Sequence, residues 1–372
     1  MAQPTWECFA VTPPGVEELC AAEMRTLGIE PRVVAGGVEC DVVPRDLYRL
    51  NLWSRVAARV LVRLGRFRCR DFPELHRSLL RLPWGRFIRP GRACRVRASS
   101  SESRLNHSGR IAETVLAAVS KALGGEVPAP ADGGEQLIFV RFERDFCTLS
   151  VDSSGALLHQ RGYRHEAVAA PLRENLAAAI LLRCGYDGHR ALLDPMCGSG
   201  TFAIEAALIA AGLPPGANRK FAFMDWPHFR PHVWTLCLQE RGVVSAAPAP
   251  IIANDIDPQA LAAARANAAA ASVAERITFC QGAARDLVAP AEAGLLVWNP
   301  PYGERLGNRE ALLDLYHEFG AVCRGALKSW DIAWLSADPR FVRALKIGCR
   351  KIWSFSNGGI GVELRRRPGE KA

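Results

Sequence analysis

Gly294-Leu295-Leu296-Val297-Trp298-Asn299-Pro300-Pro301-Tyr302 is an apolar run closed by an amide, two prolines and a tyrosine. An apolar run bounded by proline reads as a buried strand, and the residues after it offer an amide oxygen, a main-chain carbonyl and a ring face to one planar amine. Upstream, Ala191 to Asp194 reads as another strand, followed by the glycine loop Asp194-Pro195-Met196-Cys197-Gly198-Ser199-Gly200-Thr201 and a helix over Thr201 to Gly212. Strands and helices keep alternating through Pro250 to Asp255, Pro258 to Ala271, Ile277 to Gln281, Leu312 to Leu327 and Asp331 to Ser336. Alternation of this kind predicts an α/β, Rossmann-like fold whose mostly parallel sheet is covered on both faces. Lys351 to Ser356, the turn Asn357-Gly358-Gly359 and Ile360 to Arg365 form a hairpin signal that makes the last strand antiparallel to its neighbour.

The N-terminal part has another grammar. Val16, Leu19, Cys20, Met24 and Leu27 recur at helical spacing, and Val33-Val34 pairs with Val38-Cys40-Val42 across Gly36-Gly37, an α+β start. Residues 56–64 set Val56, Ala58, Val60, Val62 and Leu64 on one face and Arg59 and Arg63 on the other; Cys94, Val96 and Ala98 alternate in the same way with Arg95 and Arg97. Both read as strands with an arginine-bearing outer face. Helices are expected near 71–82 and from Ser108 to Leu123, then strands Leu137 to Phe142 and Phe146 to Val151, and a helix from Leu172 to Leu182 ending at Gly185.

The 372 residues, 49% of them hydrophobic, suffice for two cores. No apolar run reaches the roughly 18 residues of a bilayer span and the start lacks a signal-peptide pattern, so a cytoplasmic protein with no membrane partner is expected. Twelve cysteines stand singly, never as Cys-x-x-Cys, and read as small buried apolar residues without a metal. The net charge of +9 is uneven: Arg45 to Arg110 holds seventeen arginines and four acids. That segment is either a solvated basic surface or a phosphate-binding face, since guanidinium pairs with phosphate and stacks on unpaired bases.

In open α/β sheets ligands sit beyond the carboxyl ends of the strands, where these motifs fall. The glycine loop lets the backbone approach a ligand, yet it lacks the lysine of a phosphate-cradling loop, and Ala203 stands where a third dinucleotide-fold glycine would be. The strand ending Asn254-Asp255-Ile256-Asp257 places a carboxylate to accept two ribose hydroxyls, although either acid could instead cap the helix that starts at Pro258.

Loop, acid and Asn-Pro-Pro-Tyr in this order resemble the class I S-adenosylmethionine-dependent methyltransferases. The whole chain resembles the THUMP-containing RNA guanine-N2 methyltransferases, closest to the bacterial large-subunit ribosomal RNA enzymes. The resemblance runs through Ser103-Arg104-Leu105-Asn106-His107-Ser108-Gly109, His159-Gln160-Arg161-Gly162-Tyr163-Arg164, Ala170 to Ala177, and the insertion Asn218 to Phe223 with Trp226-Pro227. It implies a ferredoxin-like part over 1–55, a THUMP RNA-binding domain over 56–160, a linker helix in 161–188 and a Rossmann-like methyltransferase domain over 189–372. It implies S-adenosylmethionine as cofactor, with Asp194, Met196, Cys197, Gly198, Gly200 and Thr201 around its methionine part, Asp255 or Asp257 on the ribose and Ile256 on the adenine face.

Where the family carries an acid this chain has Ala283, so adenine recognition falls to main chain or to Asp286. Catalysis falls to Asn299 beside the cofactor, to the Pro300 carbonyl and to Tyr302. RNA contacts fall to Arg95, Arg97, Arg104, Arg161 and Arg164. Ribosomal RNA is the expected partner, with transfer RNA, adenine N6 or a protein glutamine amide as alternative acceptors, and an inactive RNA-binding assembly factor as an alternative of another class. A fragment from about residue 165 onward is expected to hold the cofactor site by itself.

Overall fold

The computed structural model describes residues 5–128, 134–165, 172–242, 244, 249–300, 309–357 and 359–370. They form two compact units: one takes residues up to 12 with 20–158 and 219–240, the other 13–19, 159–218 and 241 onward.

Through the N-terminal region the elements run β1 (Trp6–Val11), α1 (Glu17–Thr26), β2 (Arg32–Val34), β3 (Gly37–Val42), α2 (Pro44–Trp53), β4 (Arg59–Arg68), α3 (Phe72–Leu80), β5 (Cys94–Ser101), α4 (Ser108–Leu123), β6 (Gln136–Glu143) and β7 (Phe146–Asp152). The strands form a single sheet in the order β2-β3-β1-β4-β7-β6-β5, antiparallel except for the β5–β6 pair. β4 is the seam: Cys8 lies opposite Val62 on one side and Phe146 opposite Arg68 on the other. The ferredoxin-like part and the THUMP part therefore share one sheet.

Alternation over 56–64 puts Arg59 on an open face, and here the structure corrects the reading. Arg59 is 8% exposed, hydrogen-bonded to Asp152 and, at 2.8 Å, to the Gly155 carbonyl. The residues after β7 turn back over that end of the sheet and shut out water. Burial pushes the Asp152 carboxyl up to about 6 even though Arg59 and the Ser154 and Gly155 N–H groups pull it down.

The chain continues with α5 (Glu174–Arg183), β8 (Ala191–Asp194), α6 (Thr201–Ala210), α7 (Pro231–Gln239), β9 (Ile251–Asp255), α8 (Pro258–Ala270), β10 (Thr278–Gln281), β11 (Gly294–Trp298), α9 (Arg309–Arg324), β12 (Asp331–Ser336), α10 (Pro339–Ala344), β13 (Arg350–Asn357) and β14 (Ile360–Arg367). The second unit's sheet has the order β10-β9-β8-β11-β12-β14-β13. Its first five strands are parallel and β14 runs antiparallel to both β12 and β13, as the hairpin signal predicts. Chain order reverses between β8 and β11, which makes the ends of those strands the topological switch point where such sheets bind ligands. Behind β11 lies an apolar core, with Trp298 4.8 Å from Tyr316 and 4.7 Å from Phe319 between ring centroids.

α7 packs on α2 within the first unit, although in sequence it falls between two strands of the second. The insertion explains this: Phe223 stacks on Tyr48 at 4.5 Å, and the Trp226 indole N–H donates to Gln136 at 2.8 Å. All twelve cysteines are free and ten are buried. Among the described residues no helix is long and apolar enough to cross a membrane.

Candidate active site

Asp194 ends β8 as a carboxyl only 2% exposed. Burial drives its pKa well above the ordinary carboxylate range, the Met196 N–H opposes this, and nearby Asp255 adds to it. The glycine loop that follows is pinned by main-chain and side-chain bonds from the next strand. Cys197 N–H donates to the Asn254 carbonyl at 2.8 Å, and Gly198 N–H donates to the Asp255 carboxylate at 2.8 Å. Burial pushes the Cys197 thiol up, so it sits in the loop as a neutral group. Gly200 brings the loop against α8, where an added Cβ would lie 3.0 Å from that of Ala264, and its φ of +82° favours glycine as well.

The two acids at the end of β9, Asp255 and Asp257, do different things. Asp257 is exposed and caps α8, its carboxylate accepting from Gln259 N–H at 2.9 Å. Asp255 accepts from Gly198 N–H and, at 3.0 Å, from Asp257 N–H. Two lone-pair sites on its oxygens remain for outside donors. Ile256, between them, is 67% exposed, and Val288, beyond the turn that holds Asp286, is 79% exposed. Asp286 itself is exposed.

Asn299 follows β11, next to β8 in the sheet. Its Oδ1 is buried and has no hydrogen-bond partner among the described residues. A buried acceptor left unpaired costs about 1–3 kcal/mol, so it marks a place where an outside donor belongs. Pro300 is buried beside it. Pro301 and Tyr302 lie outside the described residues.

The structure gives two of the five arginines read as RNA contacts a different setting. Arg161 is 2% exposed, paired at 3.4 Å with Glu205 of α6, which also accepts from the Tyr163 hydroxyl at 3.1 Å. Gly162 between them has φ +91°, and a Cβ there would sit 2.1 Å from the Asn218 carbonyl oxygen. Arg164 reaches from Glu174 at 3.0 Å to the Thr201 hydroxyl at 2.9 Å. His165 N–H donates to Asn267 at 3.1 Å, and the Asn267 amide in turn donates to the Ser199 carbonyl at 3.3 Å. The Arg161 to His165 segment is thus a strap, with Arg161 and Tyr163 buried, fastened to the glycine loop and to the helix it opens. Arg95, Arg97 and Arg104 are exposed, Arg95 beside Glu135.

Sequence reasoning missed Asn254 and Asn267. The Asn254 amide donates to the carbonyls of Pro195 at 3.0 Å and Gly282 at 2.9 Å, which fixes two ligand-facing loops at once. Asn267 had a signal, the one amide in the alanine-rich stretch Leu261 to Ala270.

A glycine loop after β8, an acid after β9 and an amide-proline end on β11, on a sheet with a reversed last strand, define the Rossmann-like methyltransferase class. Residues 161–364 match the model of the RMKL-like methyltransferase domain, residues 7–61 that of the RlmL ferredoxin-like domain and residues 69–152 that of the THUMP domain. The chain belongs to the RMKL-like methyltransferase family.

Ribosomal RNA large subunit methyltransferase K/L of Vibrio campbellii is 37% identical over 95% of this chain and 52% of its own length. The chain thus spans about half the length of the curated relatives it matches. Among solved structures, SMU.472 complexed with SAH, assigned as a methyltransferase, has a TM-score of 0.87 at 30% identity, covering 100% of both chains. A Listeria monocytogenes protein assigned as an N6-adenine-specific DNA methylase has a TM-score of 0.87 at 31% identity over 99% of this chain and 97% of its own.

Proposed function

We propose that this chain transfers a methyl group from S-adenosylmethionine to the exocyclic N2 amine of a guanine in RNA, with large-subunit ribosomal RNA as the substrate. The observation that carries the reading is Asn299 Oδ1, buried, without a hydrogen-bond partner among the described residues and beside the end of β8. Ribosomal RNA is supported by the names of the relatives, and RNA over protein by the arginine surplus from Arg45 to Arg110.

The site fits the cofactor: the glycine loop leaves Met196 and Gly198 partly exposed, Asp255 keeps acceptor capacity for ribose hydroxyls, and Ile256 offers an exposed apolar face. When bound, S-adenosylmethionine supplies an electrophilic sulfonium methyl. An exocyclic guanine amine is a weak nucleophile because its lone pair is delocalised into the ring, so orientation carries much of the catalysis. Asn299 Oδ1 and the Pro300 carbonyl accept the two amine hydrogens, aim the lone pair and stabilise positive charge growing on nitrogen. Proline at 300 and 301 keeps this backbone stiff. Tyr302, by residue type, supplies the ring on which a base taken out of its stack rests.

The same amide could hold an adenine N6 amine, which the Listeria relative's assignment favours. Methyl incorporation from labelled S-adenosylmethionine into RNA tests the reading. The wild type incorporates label, and Asn299→Ala binds cofactor with unchanged affinity yet incorporates none. Turnover of Asn299→Ala within about threefold of wild type contradicts the role given to the amide.

A further inference from the structure

The sheet of the first unit has an open face with a composition the methyltransferase chemistry does not use. Cross-strand register sets Arg68 opposite Phe146, Arg66 opposite Thr148, Arg141 opposite Thr148 and Arg97 opposite Phe139. Residues directly opposite share a face, so these side chains stand on one surface. Arg66, Arg68, Arg97, Arg141 and Phe146 are exposed, Phe146 at 43%. The alternate residues Ile138, Val140, Phe142, Cys147 and Leu149 are buried on the other side.

Among the described residues Arg66, Arg68 and Arg97 have no carboxylate partner; the acids on this surface are themselves paired, Glu143 with Arg141 at 3.2 Å, Glu39 with Arg63 at 3.2 Å and Glu135 with Arg95. The Arg66 guanidinium lies 5.5 Å from the Phe146 ring centroid and widens its flat surface. The exposed Phe146 ring stands between Arg68 on β4 and Glu143 on β6, with Arg66 beside it, so a flat apolar surface and unneutralised positive charge lie together. The charge calls for a polyanion, and the ring calls for one whose bases are unpaired.

We propose that this face, centred on Phe146 with Arg66, Arg68 and Arg97, is a stacking platform for single-stranded RNA. One base stacks on Phe146, the flanking phosphates pair with Arg66 and Arg68, and Arg97, four residues along β5 from the position level with Phe146, takes a phosphate farther along the strand. The proposal rests on the RNA reading above and names where unpaired RNA is held away from the site of chemistry.

The test uses the full chain and a uridine homopolymer of about a dozen nucleotides, within the site sizes of single-strand binders. Binding is measured by fluorescence anisotropy over a range of salt. Phe146→Ala should weaken binding between about fivefold and about 150-fold, the equivalent of the roughly 1–3 kcal/mol of one base–aromatic stack, with the salt slope unchanged. Phe146→Tyr should bind as the wild type does. Replacing Arg66, Arg68 and Arg97 together with Gln should flatten the log-log salt slope by about 2.

Unchanged affinity in Phe146→Ala overturns the platform, and so does an equal loss in Phe146→Ala and Phe146→Tyr, which would mean the ring serves packing. An unchanged slope in the triple variant overturns the phosphate contacts. Should the wild type methylate no RNA while Phe146→Ala still loses homopolymer binding, the platform stands and the proposed reaction fails; a methylating wild type with an indifferent Phe146 gives the converse.

Discussion

At the scale of single residues, the site is built from side chains whose cost to the fold marks their use. Asp194 illustrates it. Its carboxyl titrates well above the ordinary range because burial disfavours the charge. The folded state therefore keeps a proton that the unfolded chain releases near pH 4, and stability falls as pH rises from there until the folded pKa is passed. Asp194→Asn removes that dependence. Without cofactor it should be more stable than the wild type at neutral pH, with a flatter change of urea midpoint between about pH 4 and about pH 8, and it should bind S-adenosylmethionine more weakly. Equal pH slopes in the two proteins would contradict the buried, protonated carboxyl. The places of Asn299, of the glycine loop and of the pair Asp255 and Asp257 were legible in the sequence because each follows an apolar strand, but which of the two acids caps α8 was not. Asn254 was not, because its partners Pro195 and Gly282 lie far away along the chain and only strand pairing brings them to it.

At the scale of elements, strong periodicity was readable and masked periodicity was not. The helix over Ser108–Leu123 and the strands Ala191–Asp194 and Asp331–Ser336 lie where the pattern puts them. β1 escaped notice because its outward positions carry Phe9 and Val11, which hide the alternation of buried Trp6, Cys8 and Ala10. α2 escaped it too, although Pro44 at its start was a usable signal. Arg161 and Arg164 read as RNA contacts because sequence shows charge and not burial, and Glu205 answers Arg161 from forty-four residues away. Arg161→Leu strands that carboxylate in the core and should cost about 3–5 kcal/mol, whereas pairing it with Glu205→Leu should restore much of the loss. The denaturation midpoints of the two single variants and the double variant measure this. A single variant as stable as the wild type would contradict the strap, and so would a change in the salt slope of RNA binding with stability intact.

At the scale of the whole molecule, the two units are not two consecutive pieces of chain. Residues 13–19 belong to the second unit and 219–240 to the first. The expectation that a fragment from about residue 165 would carry the cofactor site gives way to another. Such a fragment lacks Arg161 and Tyr163, which leaves Glu205 buried without them, and lacks Gly15, whose carbonyl accepts from Arg183 at 2.7 Å. It should show no cooperative thermal transition and no cofactor binding, and a folded, cofactor-binding fragment would contradict the division drawn here. The central claim is that Asn299 and the glycine loop serve methyl transfer to a guanine amine in large-subunit ribosomal RNA. Ribosomal RNA from cells lacking the protein, incubated with the full chain and S-adenosylmethionine, then digested to nucleosides and mapped by mass spectrometry, tests it most directly. N2-methylguanosine is expected at a defined large-subunit position with wild type and not with Asn299→Ala. N6-methyladenosine in its place, or no methylated nucleoside from a protein that binds the cofactor, would contradict it.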